Sequence, residues 1–257
     1  MGTYLVGGRS LRTVLASLVQ RRHYVALANV LHRFERPLDV LRRYVTRSGR
    51  YPWVSRVRTP VGVVEVTLHS ADDVRTLVEV FARLDYRAPN DLRVAVDVGA
   101  NIGISALYFL TRNERSRCVA FEPDPRNVTK LRHNLRQLSD RYTLSEHAVA
   151  DRNGTFEFGI EPTGRYGGIG ADHAEQIVVR AVEVNAALDG VLAEHREIDI
   201  LKVDTEGMER AIVAALRPDV AERIRIIYLE EPTLTESLQP RLFRQSRRGW
   251  CVRLERR

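Results

Sequence analysis

The stretch Val94-Ala-Val-Asp-Val-Gly-Ala-Asn-Ile-Gly103 decides the reading of this chain. Val94 to Val98 is apolar apart from Asp97, the pattern of a central strand buried on both faces. The turn that follows carries Gly99, Asn101 and Gly103, and Ile104 to Leu110 then reads as an apolar helix. Glycine lets a backbone turn tightly and approach a ligand closely, and a helix N-terminus presents free N–H groups. In α/β proteins such a strand-to-helix turn is where nucleotide-like ligands bind. The two glycines stand four apart, which departs from the G-x-G-x-x-G of dinucleotide sites. The competing reading is a tight turn that serves only the fold.

Outward from this stretch, strands and helices alternate, as in a parallel sheet with helices on both faces. Cys118 to Phe121 is the second strand. Glu122-Pro123 follows, with Asp124 as N-cap and Pro125 at the first helical position. Val128, Leu131, Leu135 and Leu138 form the buried stripe of that helix, and Tyr142 to Val149 is the third strand. Thr155 to Ile160 and Gln176 to Val184 read as an inserted hairpin around a loop containing Gly164, Gly167, Gly168 and Gly170. Ile198 to Val203 is the fourth strand, before Asp204-Thr205-Glu206-Gly207 and a helix carrying Met208, Ile212 and Leu216. Ile224 to Leu229 is the fifth, before Glu230-Glu231-Pro232, and a short helix and a strand from Trp250 to Leu254 end the sequence.

The N-terminal part has a different character. Residues 1–50 hold ten arginines against Glu35 and Asp39, a net +8, so the other 207 residues carry −1 of the chain's +7. Apolar residues recur there at helical spacing: Leu11, Val14, Leu15, Leu18 and Val19; then Tyr24, Leu27, Ala28, Leu31 and Phe34; then Leu38, Leu41 and Val45 after Pro37. This predicts amphipathic helices with basic outer faces, either capping the main domain or a second copy, or resting on anionic lipid. A nucleic-acid arm is disfavoured, since no recognisable binding motif accompanies the arginines. Residues 53–69 predict a hairpin, Val54 to Thr59 and Val63 to His69. Ser70 and Asp73 resemble a capping box for a helix carrying Val74, Leu77, Val78, Phe81 and Leu84. The expected organisation is a basic helical segment over 1–52 and an α/β domain over 53–257.

With 257 residues, 44% apolar and 28% charged, the chain has the composition of an ordinary globular protein. No apolar run reaches the roughly 18 residues of a spanning helix, and the start lacks the apolar core of a signal peptide. Val6 stands where a myristoylation signal takes Ser or Thr. Cys118 and Cys251 have no C-x-x-C neighbour and read as core thiols. A cytoplasmic location is expected, peripheral at a membrane if the basic helices meet lipid.

Four acidic residues stand at carboxyl ends of the expected parallel strands: Asp97, Glu122, Asp204 and Glu230. Ligands of open α/β sheets lie beyond those ends. Glu122 follows Gly103 by 19 residues, where a carboxylate accepts hydrogen bonds from a ribose diol. It could instead serve the helix N-terminus, but Asp124 already fills that role. Ala148 and Val149, at the end of the third strand, are candidates for an apolar wall against an adenine ring.

The run VDVGANIG (96–103), whose D-x-G-x-x-x-G turn is similar to that of S-adenosylmethionine (SAM) methyltransferases, is one of five blocks. EPDPRNVTKLRHNL (122–135), AVADRNGTFEF (148–158), DILKVDTEGMER (199–210) and YLEEP (228–232) are the others. In this order they resemble the FkbM-type SAM-dependent methyltransferases, over roughly residues 56–250. The resemblance implies a Rossmann-like class I methyltransferase fold with SAM as cofactor. It also implies O-methylation of a hydroxyl on a sugar, glycolipid or polyketide. By motif position, Asp97, Gly99, Asn101, Gly103 and Glu122 would line the cofactor, and Asp204 and Glu206 would sit at its methyl end. The family often ends its fifth strand in Glu-x-His, where this chain has Glu230-Glu231-Pro232. The short tail also suggests that the usual antiparallel edge strand is missing or replaced by the N-terminal hairpin.

A hydroxyl is a weak nucleophile, and a positioned base adds about 10² to 10⁴ in rate. Asp204, Glu206 and His173 are the candidates, His173 through closure of the glycine-rich loop. A Mg²⁺ ion on Asp204, Glu206 and Glu230 is an alternative that the resemblance does not itself imply. A non-catalytic SAM-binding or membrane-associated scaffold using the arginine-rich helices is the rival from another class. An NAD-dependent oxidoreductase is disfavoured by the missing G-x-G-x-x-G.

Overall fold

The computed structural model describes residues 5–6, 9–10, 21–161, 167–171, 173–231, 234, 236–248 and 250–257. The chain divides into two units, Met1–Arg87 and Ala88–Arg257. The expected helix over Leu11 to Val19, and Gly164 and Pro232, lie outside the described residues.

In the first unit, β1 (Leu5–Val6) and β2 (Arg9–Ser10) form a short antiparallel pair. Helices α1 (Arg21–Arg33) and α2 (Pro37–Thr46) follow. The expected hairpin is present as β3 (Trp53–Thr59) and β4 (Gly62–Leu68). Helix α3 (Ala71–Val78) starts on a capping box, in which Ser70 Oγ accepts from Asp73 N–H and the Asp73 carboxylate accepts from Ser70 N–H. It then loosens into a π-turn, Glu79–Arg83. The hairpin and α3 therefore belong to the unit that holds the basic helices, with the division at Arg87 where the sequence reading placed a boundary at residue 52.

The faces of α1 and α2 correct the reading. Of the expected stripe on α1 only Phe34 is buried; Ala26 and Val30 are the others, while Tyr24, Leu27, Ala28 and Leu31 are exposed. Asn29 decides the side, because its amide donates to Ala82 O in the π-turn at 2.7 Å. On α2, Val40 and Arg43 are buried and Leu38 and Val45 exposed. Arg43 turns inward, donating to Arg50 O at 3.1 Å, with its guanidinium 4.4 Å from the Trp53 ring centre. Apolar periodicity cannot say which of two apolar sides is packed.

The second unit is built on β5 (Val94–Val98), α4 (Ile104–Leu110), β6 (Arg117–Phe121), α5 (Pro125–Asn134) and β7 (Tyr142–Ser145). Next come β8 (Ala148–Ala150), β9 (Gly154–Ile160), β10 (Gly168–Ile169), β11 (Glu175–Glu183) and α6 (Val184–Glu194). The unit closes with β12 (Ile198–Val203), α7 (Glu209–Ala214), α8 (Pro218–Ala221), β13 (Ile224–Glu230), β14 (Phe243–Arg248) and β15 (Cys251–Arg256). The main sheet runs β14-β15-β13-β12-β5-β6-β7. Strands β7, β6, β5, β12 and β13 are parallel. Strand order reverses between β5 and β12, so the ends of those two strands form the switch point of the sheet. This is the α/β architecture expected.

Three expectations about the strands are corrected. The antiparallel edge is present, because β15 pairs with β13 and β14 with β15. Ahead of the expected closing strand, where a short helix was expected without bounds, stands β14, so a hairpin forms the edge that the tail looked too short to supply. The third strand is two strands. The chain leaves the main sheet after β7, with Glu146 and His147 exposed, and β8 then pairs in parallel with β11. A second sheet, β10-β9-β11-β8, results, and the expected inserted hairpin is its β9–β11 pair.

One face of the main sheet is apolar. Val94, Val96, Val98, Leu201, Val203, Ile227, Leu229, Val252 and Leu254 pack with residues of α6, α7 and α8. Each fully buried Val, Leu or Ile contributes roughly 1.5–3 kcal/mol. The register puts a different row on the other face: Ala120, Asp97, Lys202, Tyr228 and Arg253. That polar row leads to the site. Among the described residues, no helix is long and apolar enough to cross a membrane.

Candidate active site

The turn after β5 is held in three left-handed positions, Gly99 (φ 75°), Asn101 (φ 50°) and Gly103 (φ 85°). At Gly99 the constraint is the neighbouring loop, since a Cβ there would sit 1.8 Å from Asp204 O. Asp204 N–H in turn donates to Val98 O at 3.1 Å, so the two strand ends are locked together. Gly103 caps α4, and a Cβ on it would meet Leu131 Cγ of α5 at 3.1 Å. Both glycines thus serve the fold as well as the shape of the turn.

Glu122, expected from the sequence to hold a ribose diol, stands against this turn. Its buried carboxylate accepts from Asn101 N–H at 2.8 Å and from Asp124 N–H at 2.9 Å. Burial pushes its pKa up to about 7, and those two N–H groups and the Asn127 side chain oppose the rise. Asp124 is the N-cap of α5, accepting from Arg126 N–H at 2.8 Å. Ala148 and Val149 sit on β8 and are buried, Val149 in the core of the main sheet and Ala148 in that of the second.

The sequence reading missed Lys202. Its ammonium lies 3.0 Å from Asp97 Oδ1, 3.4 Å from Asp204 Oδ2 and donates to Gly99 O at 2.9 Å. Ser105 Oγ of α4 donates to the other Asp97 oxygen at 2.5 Å. Burial pulls the lysine pKa down, but Asp97, Asp204 and Glu230 outweigh it and hold the ammonium above its ordinary range. One cation therefore joins the glycine turn to Asp204. A signal was available: Lys202 interrupts the apolar end of Ile198 to Val203 as Asp97 interrupts its own strand.

The turn after β12 is more open. Asp204 is partly exposed, and Glu206 is exposed with φ 55°. Glu209, also missed, closes the loop. Its buried carboxylate accepts from Thr205 N–H at 2.6 Å and Gly207 N–H at 2.9 Å, and burial raises its pKa. Gly168 of the second sheet packs on this loop, where a Cβ would meet Glu206 O at 2.8 Å. His173 lies between β10 and β11, its ring against Gly159. Asp97, Gly99, Asn101, Gly103, Glu122 and Asp204 thus gather at the ends of β5, β6 and β12, and Glu230 ends β13. Among the described residues, no three His, Cys, Asp or Glu side chains gather as metal ligands.

Several known proteins are similar to parts of this chain. The 2-O-methyltransferase NoeI of Sinorhizobium fredii is 42% identical over 65 residues, covering 25% of this chain and 26% of its own. The AMB antimetabolite synthetase AmbE of Pseudomonas aeruginosa is 28% identical over 189 residues, covering 59% of this chain and 9% of its own. The chain thus spans only a fraction of the length of these curated relatives. Among solved structures, a methyltransferase from Geobacter sulfurreducens aligns at 19% identity over 65% of this chain and 72% of its own, with a TM-score of 0.38. Residues 97–244 match the methyltransferase FkbM domain, from the acid of the first strand through the glycine turn, Glu122 and Asp204 into β14. The chain belongs to the FkbM methyltransferase family.

Proposed function

We propose that this protein is a SAM-dependent O-methyltransferase whose acceptor is a hydroxyl of a saccharide, glycolipid or polyketide-type molecule. The observation that carries the reading is Glu122, a buried carboxylate fixed against the Gly99–Gly103 turn, with the partly exposed Asp204 at the end of β12 on the other side of β5. The residues fit such a cofactor. Glu122 has lone pairs left for a ribose diol, and three carboxylates around one Lys202 suit a cationic ligand. When bound, the cofactor supplies a methyl group already activated by its sulfonium.

The chain then has to hold an acceptor oxygen in line and take its proton. Asp204 is the assigned base; binding the cofactor's amino group is its alternative role. Lys202, kept protonated, is not a base. Glu206 and His173 are assigned to the acceptor side, on the loop that Gly168 covers and on the second sheet. The word 2-O-methyltransferase in the name of the NoeI relative supports an oxygen acceptor. The basic segment of residues 1–50 is assigned to peripheral contact with a membrane.

Calorimetry with SAM, S-adenosylhomocysteine and NAD, followed by labelled-methyl transfer to a panel of hydroxylated sugars and glycolipids, tests the reading. Glu122→Ala is expected to weaken SAM binding, and Asp204→Ala to lower turnover more than SAM affinity. Tighter binding of NAD, or normal turnover in both variants, overturns it. A chelator that lowers transfer would bring a metal on Asp204, Glu206 and Glu230 into the mechanism.

A further inference from the structure

Helices α1 and α2 each carry apolar residues on a second side that is exposed among the described residues. On α1, Tyr24, Leu27 and Leu31 lie at helical spacing on one side, about a third of a turn round from buried Ala26 and Val30. On α2, Leu38 and Val45 are seven apart and face away from buried Val40 and Arg43. These five outward residues are between 42% and 75% exposed. Scattered exposed leucines need no explanation, but a helix side made of them does.

The charge around them is mainly positive, with Asp39 on α2 and Glu35, which pairs with Arg56, as the acids nearby. Arg43 is spent on Trp53 and Arg50 O, and Arg47 pairs with Asp72 at 2.8 Å. Arg36 and Arg42 are exposed and have no ion-pair partner among the described residues. Arg42 follows Leu38 by four and precedes Val45 by three, so all three share one side of α2. Apolar side chains interleaved with free arginines, within a segment of net +8, match an anionic lipid surface. A second copy would bring the same charge against itself, and nucleic acid would leave the leucines without a partner.

We propose that α1 and α2 dock on anionic membrane lipid. Tyr24, Leu27, Leu31, Leu38 and Val45 enter the headgroup boundary, and Arg36 and Arg42 bind lipid phosphates. This rests on the peripheral contact assigned above and names its face and its partner.

The test is co-sedimentation of the full chain with phosphatidylcholine vesicles, with and without phosphatidylglycerol. Binding is expected only with the anionic lipid, weaker at raised salt. Leu27→Ser with Leu31→Ser, and separately Arg36→Glu with Arg42→Glu, should each weaken it roughly tenfold or more. Unchanged melting curves and SAM binding in both double variants would show that fold and cofactor site are intact, so the outcome bears on docking alone. No binding to anionic vesicles, equal binding to neutral ones, or indifference to both double variants overturns the proposal. A dimer that Leu27→Ser with Leu31→Ser dissociates, without vesicle binding, gives the face to a second copy and also overturns it.

Discussion

The turns after β5 and β12 stand side by side and are built on opposite plans. The first buries Ala100, Ile102 and Gly103, takes three left-handed positions and is pinned by Glu122. The second leaves Glu206 and Gly207 exposed and Asp204 partly so, and its own helix closes it through Glu209. A shape fixed from several directions suits a ligand that is the same at every turnover. Exposed side chains beside a glycine-rich hairpin suit contact with a second, exchangeable ligand. Under the proposed function, the first turn would serve the cofactor and the second the choice of acceptor.

Lys202 is where the two plans meet, and removing it is the severest way to break the comparison. Lys202→Met leaves the fully buried Asp97 without its cation, which costs about 3–5 kcal/mol. A fall of that size in urea unfolding is expected, together with loss of SAM binding. A loss under 1 kcal/mol would mean that Asp97 does not depend on it. Gly99→Ala comes next. The new methyl meets the Asp204 carbonyl in a left-handed backbone, at a cost of roughly 2–5 kcal/mol. If the turns are locked as described, this one methyl group should disturb Asp204 as well as the cofactor turn. A variant with wild-type stability would show that they are independent.

Glu122 sharpens the comparison through pH. Its pKa is raised from 4.5 to about 7 by burial, so folding favours its neutral form. The sign follows: this contribution to stability is complete below 4.5 and is lost as pH rises through about 7. It amounts to about 3 kcal/mol. Cofactor binding runs the other way, because a ribose diol needs the ionised carboxylate. SAM affinity should therefore rise as pH passes through about 7, with proton release measurable by calorimetry in buffers of different ionisation heat. Glu122→Gln should flatten that profile and weaken binding about tenfold. An unchanged profile would place the titrating group elsewhere.

The two turns were not equally legible in the sequence. Asp97, Gly99, Gly103, Glu122 and Asp124 answer to nearby demands: a strand end, a tight turn, a helix cap. Residue type and spacing reveal such demands. Lys202 finds Gly99 from 103 positions away, and Glu209 works by closing a loop that looks complete without it. The break between β7 and β8 escaped because both halves have strand-like residues, and only the pairing of β8 with β11 separates them. Helix α6 escaped because its first residue, Val184, continues the valine-rich β11, and its cap, the Glu183 carboxylate accepting from Asn185 and Ala186 N–H, is not a Ser, Thr, Asp or Asn. On α1 the sequence pointed to the stripe from Tyr24 to Phe34, whereas the packed side holds Ala26 and Val30, with Asn29 bonded to Ala82 O.

Glu206 offers the mildest test. A non-glycine residue at φ 55° costs about 1–2 kcal/mol unless its side chain repays it. Glu206→Gly relieves the backbone and adds freedom to the unfolded chain, so the net gain should be under about 1 kcal/mol. If the open turn is shaped for an acceptor, the same variant should raise the acceptor KM while SAM affinity stays unchanged. Paired measurement of melting temperature and the two substrate constants separates these effects. Equal losses in SAM and acceptor affinity would tie Glu206 to the cofactor turn and dissolve the contrast between the two loops.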